Sequence, residues 1–355
     1  MRFWPKDDIL RRVLRNTGQM GAGKVAGAVL HLASIAVTAR ILDLTEFGLL
    51  MLFRSIAQTV VAVAKFQSWQ AFVHFGADPF EAGAYGAVRA LWWRLAIIDF
   101  IAGGAAVVIG AGFLFTASEL VSIPAAFASL AALYLLIVPL QVAGTPTGLL
   151  RLTDRFDLVA WQSLVTPAVR LAGVGIAWLL GAPLWAVVLA WVLSDILGDG
   201  FLWVCAVAVA RRIGILGAAV AHGIAAPEPA ARGVQWRYLA GTNVIATMQQ
   251  GALPMMTLVV GAILGAPAAG AYRFAQSLLD AVLAPAELAM RSLFPEISKL
   301  RTAKGDRLRQ IMRHVCLIAL WVSIPVGGVI FFGADLLVWL LAGEKFASSG
   351  TLLSI

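Results

Sequence analysis

The sequence predicts an all-α polytopic membrane protein built as two pseudo-symmetric six-helix lobes, the second cut short at its C-terminus. Three observations carry this. Of the 355 residues, 61% are hydrophobic and 13% are charged, whereas a soluble domain is roughly a quarter charged. So few charges cannot cover a water-soluble globule, and so apolar a chain does not stay disordered. Nine apolar runs are long enough to cross the hydrocarbon as helices, which takes about 20 residues each. The Lys and Arg residues collect in every second connection between them.

The spans are expected at 18–40, 47–74, 92–114, 120–148, 158–179, 184–209, 239–264, 269–291 and 312–333. A β-barrel needs alternating strands of about ten residues. These runs are longer and continuously apolar, so helices satisfy the backbone. The stretch Met1 to Asn16 is charged throughout and is no cleavable signal. Segments 1–17, 78–91, 149–157, 210–238 and 291–313 hold nineteen Lys and Arg; the intervening connections hold only Lys345. The positive-inside rule then puts the N-terminus in the cytoplasm and returns every second loop there. The basic loops are read as a topology signal and a contact for membrane lipids, not for nucleic acid. Trp92, Trp93, Trp203, Trp236 and Trp339 lie near span ends and are expected as interface anchors. Cys205 and Cys316 sit in apolar runs outside any CxxC or Cys/His cluster, so neither a disulfide nor a zinc site is expected.

An internal repeat organises the spans. Val37, Ile41, Leu42, Gly48, Ser55 and Val60 recur 222 residues later as Val259, Ile263, Leu264, Gly270, Ser277 and Val282. Both copies run from the end of one span, through a tight turn, into the next. Six spans separate them, so the copies share an orientation and the lobes are related by an axis along the membrane normal. The expected division is a cytoplasmic segment 1–17, an N-lobe 18–212 of six helices, a linker 213–235 with Pro227 and Pro229, and a C-lobe 236–355. That second lobe is expected to be short of two or three helices, since the sequence ends where a tenth span would start.

The turn Ala39-Arg40-Ile41-Leu42-Asp43-Leu44-Thr45-Glu46-Phe47-Gly48 resembles the A-R-x-L-G-x-x-E-[FY]-G turn of polysaccharide-transport (Wzx-type) flippases. Leu341-Ala342-Gly343-Glu344-Lys345-Phe346 resembles their F-G-x-x-[FY] turn, and Phe294-Pro295-Glu296-Ile297-Ser298 their [FL]-P-x-[LI]-[AS] ending of the eighth helix. Asp43 stands where that family usually has glycine. These flippases belong to the multidrug/oligosaccharidyl-lipid/polysaccharide (MOP) exporter superfamily. The resemblance implies a MATE-like architecture in a bacterial inner membrane. It also implies transport of undecaprenyl-pyrophosphate-linked oligosaccharide for O-antigen, exopolysaccharide or capsule synthesis. Glycosyltransferases and a polysaccharide polymerase would be its partners.

Charges within spans are costly and usually face a bundle interior or a wet cavity. Helical spacing puts Lys24, Gly27, His31, Ser34 and Thr38 on one face of span 1, and Arg54, Gln58, Lys65 and Trp69 on one face of span 2. Asn243, Thr247, Gln250, Pro254 and Thr257 share a face of span 7; Arg273, Gln276, Asp280, Glu287 and Arg291 share one of span 8. These are the first two helices of each lobe, and their stripes are expected to line the central cleft. Lys24, His31, Arg54, Gln58, Lys65, Asn243, Gln250 and Arg273 are the candidate substrate-binding residues. Local satisfaction is the alternative: snorkelling for Lys24 and Arg291, a core role for His31, and a turn-fixing role for Arg40. The 222-residue offset relates Lys65 to Glu287 and Gln58 to Asp280. Asp280 and Glu287 are therefore the candidate gate or coupling residues, with Lys65 and Glu287 paired when the cleft is closed to the cytoplasm. Arg94 and Asp99 lie in span 3, Arg170 in span 5, and Asp195 and Asp199 in span 6. Arg170 and the aspartates are expected to neutralise one another, or the aspartates to carry a coupling cation.

Gly18 to Lys24 fits G-x4-G-K, but Val25 replaces the required Ser or Thr and no strand precedes it, so no nucleotide site is expected. No nucleophilic triad or metal-spaced set occurs, and no cofactor or catalytic chemistry is expected. Two other transport readings remain: a peptidoglycan lipid-precursor flippase, with a similar anionic head, and a MATE-type drug/cation antiporter. The antiporter favours an acidic cleft, whereas Lys24, Arg54 and Lys65 make the first lobe's stripes basic. A membrane transferase would need acid or His pairs in long outer loops, and the outer loops are short.

Overall fold

A computed structural model describes residues 8–217 and 229–281. Glu287, Arg291, the ninth span, Cys316 and the motifs at 294–298 and 341–346 lie outside the described residues, as does the side chain of Lys24. The described chain is helical, with no strand among these residues. Helices α1 (Asp8–Ile41), α2 (Leu44–Ala64), α3 (Ser68–Glu81) and α4 (Tyr85–Ala117) come first. Short turns lead to α5 (Ala128–Leu135), α6 (Val138–Val142) and α7 (Thr145–Leu152). Helices α8 (Phe156–Leu179), α9 (Leu184–Ile213) and α10 (Pro229–Leu264) follow, and α11 occupies 266–281.

Among the described residues helices thus form at the expected spans, with one interruption in the second expected span and two in the fourth. The stretch Leu44–Glu81 is divided between α2 and α3 by Lys65, Phe66 and Gln67, with Gln67 in the left-handed region at φ 50°. The fourth span bends by 42° between Ala125–Leu135 and Val138–Leu152. It breaks again at Gly144, where α7 starts with Pro146 in its first turn. Four helical stretches among the described residues are long and apolar enough to cross a membrane, five with the bent pair. Helices α1 and α8, both expected as spans, pack along each other.

The α1–α2 turn shows how the chain reverses. Asp43 Oδ1 accepts from the Glu46 N–H at 2.7 Å, and Glu46 Oε2 accepts from the Asp43 N–H at 3.3 Å. This reciprocal cap satisfies two donors at the helix start, which accounts for an aspartate at that position.

The two repeat copies meet at this end, which is the charge-poor face. A Cβ on Gly48 would lie 1.9 Å from the Ala266 carbonyl oxygen, and one on Gly270 would lie 2.9 Å from the Gly48 Cα. Gly48 and Gly270 are repeat mates, so their mutual contact lies on the pseudo-twofold axis. Phe47 and Phe274 stack edge to face beside them, 6.4 Å apart. Ala266, Ala269, Phe274 and Leu278 join one apolar core with Leu50, Phe53, Ile56 and Tyr134. Small residues at a helix contact let backbones approach where lipid provides no hydrophobic drive.

Helix α10 then runs antiparallel to α2 along its length. Asn243 Nδ2 donates to the carbonyls of Val63 and Lys65 at 3.0 Å each, and Thr247 Oγ1 donates to that of Ala62 at 2.8 Å. The last carbonyls of a helix have no partner within it; here the second lobe supplies the donors.

Candidate functional site

Polar groups gather at two linked places. The first surrounds Trp191 of α9, which is fully buried. The Arg54 guanidinium of α2 lies over its ring at 5.1 Å, and that of Arg170 from α8 at 4.2 Å. Arg170 also pairs with Asp195 and donates through Nε to Ser194 Oγ at 3.0 Å. Its Nη1 lies 3.2 Å from His31 Nδ1, and Trp191 Nε1 donates to Thr38 at 3.2 Å. The α1 stripe of His31, Ser34 and Thr38 therefore turns into lobe one, not into the space between lobes. Arg170 and Asp195 neutralise each other as expected from the sequence. Arg54 differs, because its Nε and Nη1 are buried without a partner.

The second place is a cleft between the lobes. One chamber, about 400 Å³, is lined by Gln58, Lys65, Gln141, Asp199, Gln250 and Arg273, among others. Arg273 Nη2 donates to Gln58 Oε1 at 3.3 Å, and its Nη1 is buried and unpartnered. Arg273 and Arg54 lie within electrostatic reach of each other. A smaller chamber, about 260 Å³, shares Lys65, Gln141, Asp199 and Gln250 and adds Gln67, Trp69, Arg151, Gln162 and Trp203.

The structure thus gathers Gln58, Lys65, Gln250 and Arg273, with Arg54 close to Arg273. Asn243 is committed to capping α2, and His31 belongs to the Trp191 cluster. Gln58 meets Arg273 rather than its expected mate Asp280, which instead accepts from Gln276 at 3.1 Å and is exposed. The break at Gln67 takes Trp69 off the stripe of Arg54 and Gln58.

Comparison with known proteins gives this architecture a family. Residues 13–217 match the family described as polysaccharide biosynthesis protein, and residues 235–350 match another of the same description. The chain belongs to the polysaccharide biosynthesis protein family. Inner membrane protein YghQ of Escherichia coli (strain K12) is 30% identical over 302 residues, 84% of this chain and 84% of that protein. An inward-facing multidrug resistance MATE family transporter of the MOP superfamily aligns with a TM-score of 0.65 at 13% identity. That alignment covers 92% of this chain and 76% of the other. A mutant form of the Vibrio cholerae MATE transporter VcmN aligns at 0.57 and 16%, covering 97% and 78%. This family member is therefore a multi-pass membrane protein with the all-α MOP fold.

Its helix breaks converge on one of the aspartates expected to neutralise Arg170, which meets hydroxyls and a backbone N–H instead. Asp99 of α4 is fully buried. Its Oδ2 accepts from Ser68 Oγ at 2.7 Å, Thr145 Oγ1 at 2.8 Å and the Gly144 N–H at 3.1 Å. Ser68 opens α3 and Thr145 opens α7, so two helix N-termini, each partly positive, point at one acid. Trp191 was unforeseen, although Trp191, Ser194 and Asp195 stand at i, i+3 and i+4 on α9 and so share a face. Trp92, expected at the interface, is buried against Phe72 and Trp203, because α3 and α9 close over it.

Proposed function

We propose that this family member is a flippase. It moves undecaprenyl-pyrophosphate-linked oligosaccharide from the cytoplasmic to the outer leaflet of a bacterial inner membrane, with its N-terminus in the cytoplasm. Glycosyltransferases would supply the lipid-linked glycan and a polymerase would consume it. The observation that carries this reading is Arg273, which lines the larger chamber with its Nη1 buried and unpartnered, with Arg54 within electrostatic reach of it and keeping two buried, unpartnered donors of its own. A pyrophosphate offers acceptor oxygens and about two or three negative charges, and guanidinium forks suit it. The prenyl tail needs no pocket, because it stays in lipid.

The two-lobe build suits alternating access. The Gly48–Gly270 contact closes the charge-poor face, while the chambers flank Lys65 at the far end of α2. That arrangement supports loading from the basic, cytoplasmic face, followed by rocking of the lobes. Lys65 and Glu287 would close the loading side as an ion pair. Exchanging them, Lys65→Glu with Glu287→Lys, should then restore transport that either single change removes. A drug/cation antiporter is less well supported, because Lys65, Arg151 and Arg273 outnumber Asp199 among the charges lining the chambers.

The test is the leaflet distribution of lipid-linked glycan in a strain lacking the gene. The strain should accumulate the glycan facing the cytoplasm, and the wild-type chain should relieve this. Arg273→Gln should transport about ten- to a hundredfold more slowly, the loss of a charged hydrogen bond to the head group. An unchanged distribution in the deletion strain would overturn the reading.

A further inference from the structure

We propose that the smaller chamber is a sugar subsite, holding one pyranose ring of the glycan between Trp69, Trp203 and the amides of Gln67, Gln141 and Gln162. This deepens the flippase reading and rests on it. A pyranose presents an apolar C–H face and a rim of hydroxyls, each both donor and acceptor. Its complement is an aromatic ring beside planar amides, which offer both functions. The chamber has that lining, two indoles and a set of glutamines, and its volume of about 260 Å³ suits a single ring.

The hydrogen bonding points the same way. Gln67 Oε1 accepts from Trp69 Nε1 at 2.7 Å, and Asp199 Oδ1 accepts from Gln162 Nε2 at 3.1 Å. These bonds fix the side chains before any ligand arrives. Gln67 Nε2, Trp203 Nε1 and Arg151 Nε are left buried with no partner. Gln67 is only 5% exposed. A buried donor without an acceptor is costly, about 1–3 kcal/mol each, and a hydroxyl-rich ligand supplies the acceptors. Gln67 also holds a left-handed backbone, φ 50°, that its residue type does not favour.

The chamber is better suited to a neutral ring than to a phosphate. Lys65 and Asp199 line both chambers, so what separates them is the arginine: in the smaller one the Arg151 guanidinium is engaged over the Trp69 ring at 3.8 Å. The anion-binding Arg273 lines the larger chamber instead. The two chambers share Lys65, Gln141, Asp199 and Gln250, so a sugar in one adjoins a pyrophosphate in the other. That is the order in which the first sugar and its pyrophosphate are joined.

The test compares two probes on the full chain in lipid nanodiscs: undecaprenyl pyrophosphate and undecaprenyl-pyrophosphoryl N-acetylglucosamine. The wild type should bind the sugar-bearing lipid about five- to thirtyfold tighter. Gln162→Ala and Trp203→Phe should each remove that gain and leave affinity for the bare lipid unchanged. Arg273→Gln should weaken both probes equally. Thermal melting confirms that each variant is folded, and Gln162→Ala decides the matter if Trp203→Phe is not. Equal wild-type affinity for the two probes, or variants that weaken both alike, would overturn the sugar subsite and spare the flippase reading. Failure of the wild type to bind either probe would overturn both.

Discussion

Arg170 and Asp195 differ from Arg54 in one respect that decides their roles: they have each other. Removing one member of a buried pair strands the other charge. Asp195→Asn should therefore lower stability by about 3–5 kcal/mol, read as a fall in melting temperature of the purified protein. Arg54→Gln strands nothing, so it should melt near the wild type while transport slows. A large stability loss in Arg54→Gln would assign it to the structure rather than to the substrate. The exposed pair Arg155 and Asp157, at 2.9 Å, is a third kind. The hydrogen bond from Arg155 holds the Asp157 carboxyl below its ordinary range. Its contribution is present above the unfolded carboxyl value, about 3.9, and fades as pH falls through the lowered folded value. Screening keeps it below about 1 kcal/mol, so Asp157→Asn should barely shift the melting temperature at neutral pH and the difference should vanish in acid. The Arg170–Asp195 pairing was readable in the sequence, because two complementary charges in neighbouring spans need each other. Arg273 meeting Gln58 was not, because helical spacing gives a face but not the rotation of one helix against another.

At the scale of the helices, the spans were legible and the breaks were not. A run of about 20 apolar residues announces a crossing, and nothing in Ala64 to Trp69 interrupts that run with Gly or Pro. Only Lys65, Gln67 and Ser68 mark the place. The break before α7 did carry a signal, since Gly144 precedes Thr145 and Pro146, and proline favours the first turn of a helix. What joins the breaks is tertiary: Asp99, 31 residues from Ser68 and 46 from Thr145. Asp99→Leu should leave the Ser68 and Thr145 hydroxyls without their acceptor, at about 1–3 kcal/mol each, while the Gly144 N–H keeps Ser68 Oγ at 3.1 Å. Asp99→Asn keeps one acceptor oxygen and should cost less. Melting temperatures of the two variants check the order, and an unaltered Asp99→Leu protein would remove the carboxyl from this role.

Across the whole molecule, the repeat was visible as six matched residues, and its geometry resolves at Gly48 and Gly270. A Cβ at Gly48 has no room against Ala266, so Gly48→Val should wedge the lobes apart at the charge-poor face. In a chain with Cys205 and Cys316 replaced by serine, Ser55→Cys is buried and should resist a membrane-impermeant thiol reagent. Adding Gly48→Val should expose it to reagent supplied from that face. Continued protection would mean that the lobes close by other contacts. A residue that touches its own repeat mate occupies the position where, in a symmetric pair of separate subunits, one residue would face itself. If two copies of the first half packed in the same way, Gly48 of one would face Gly48 of the other.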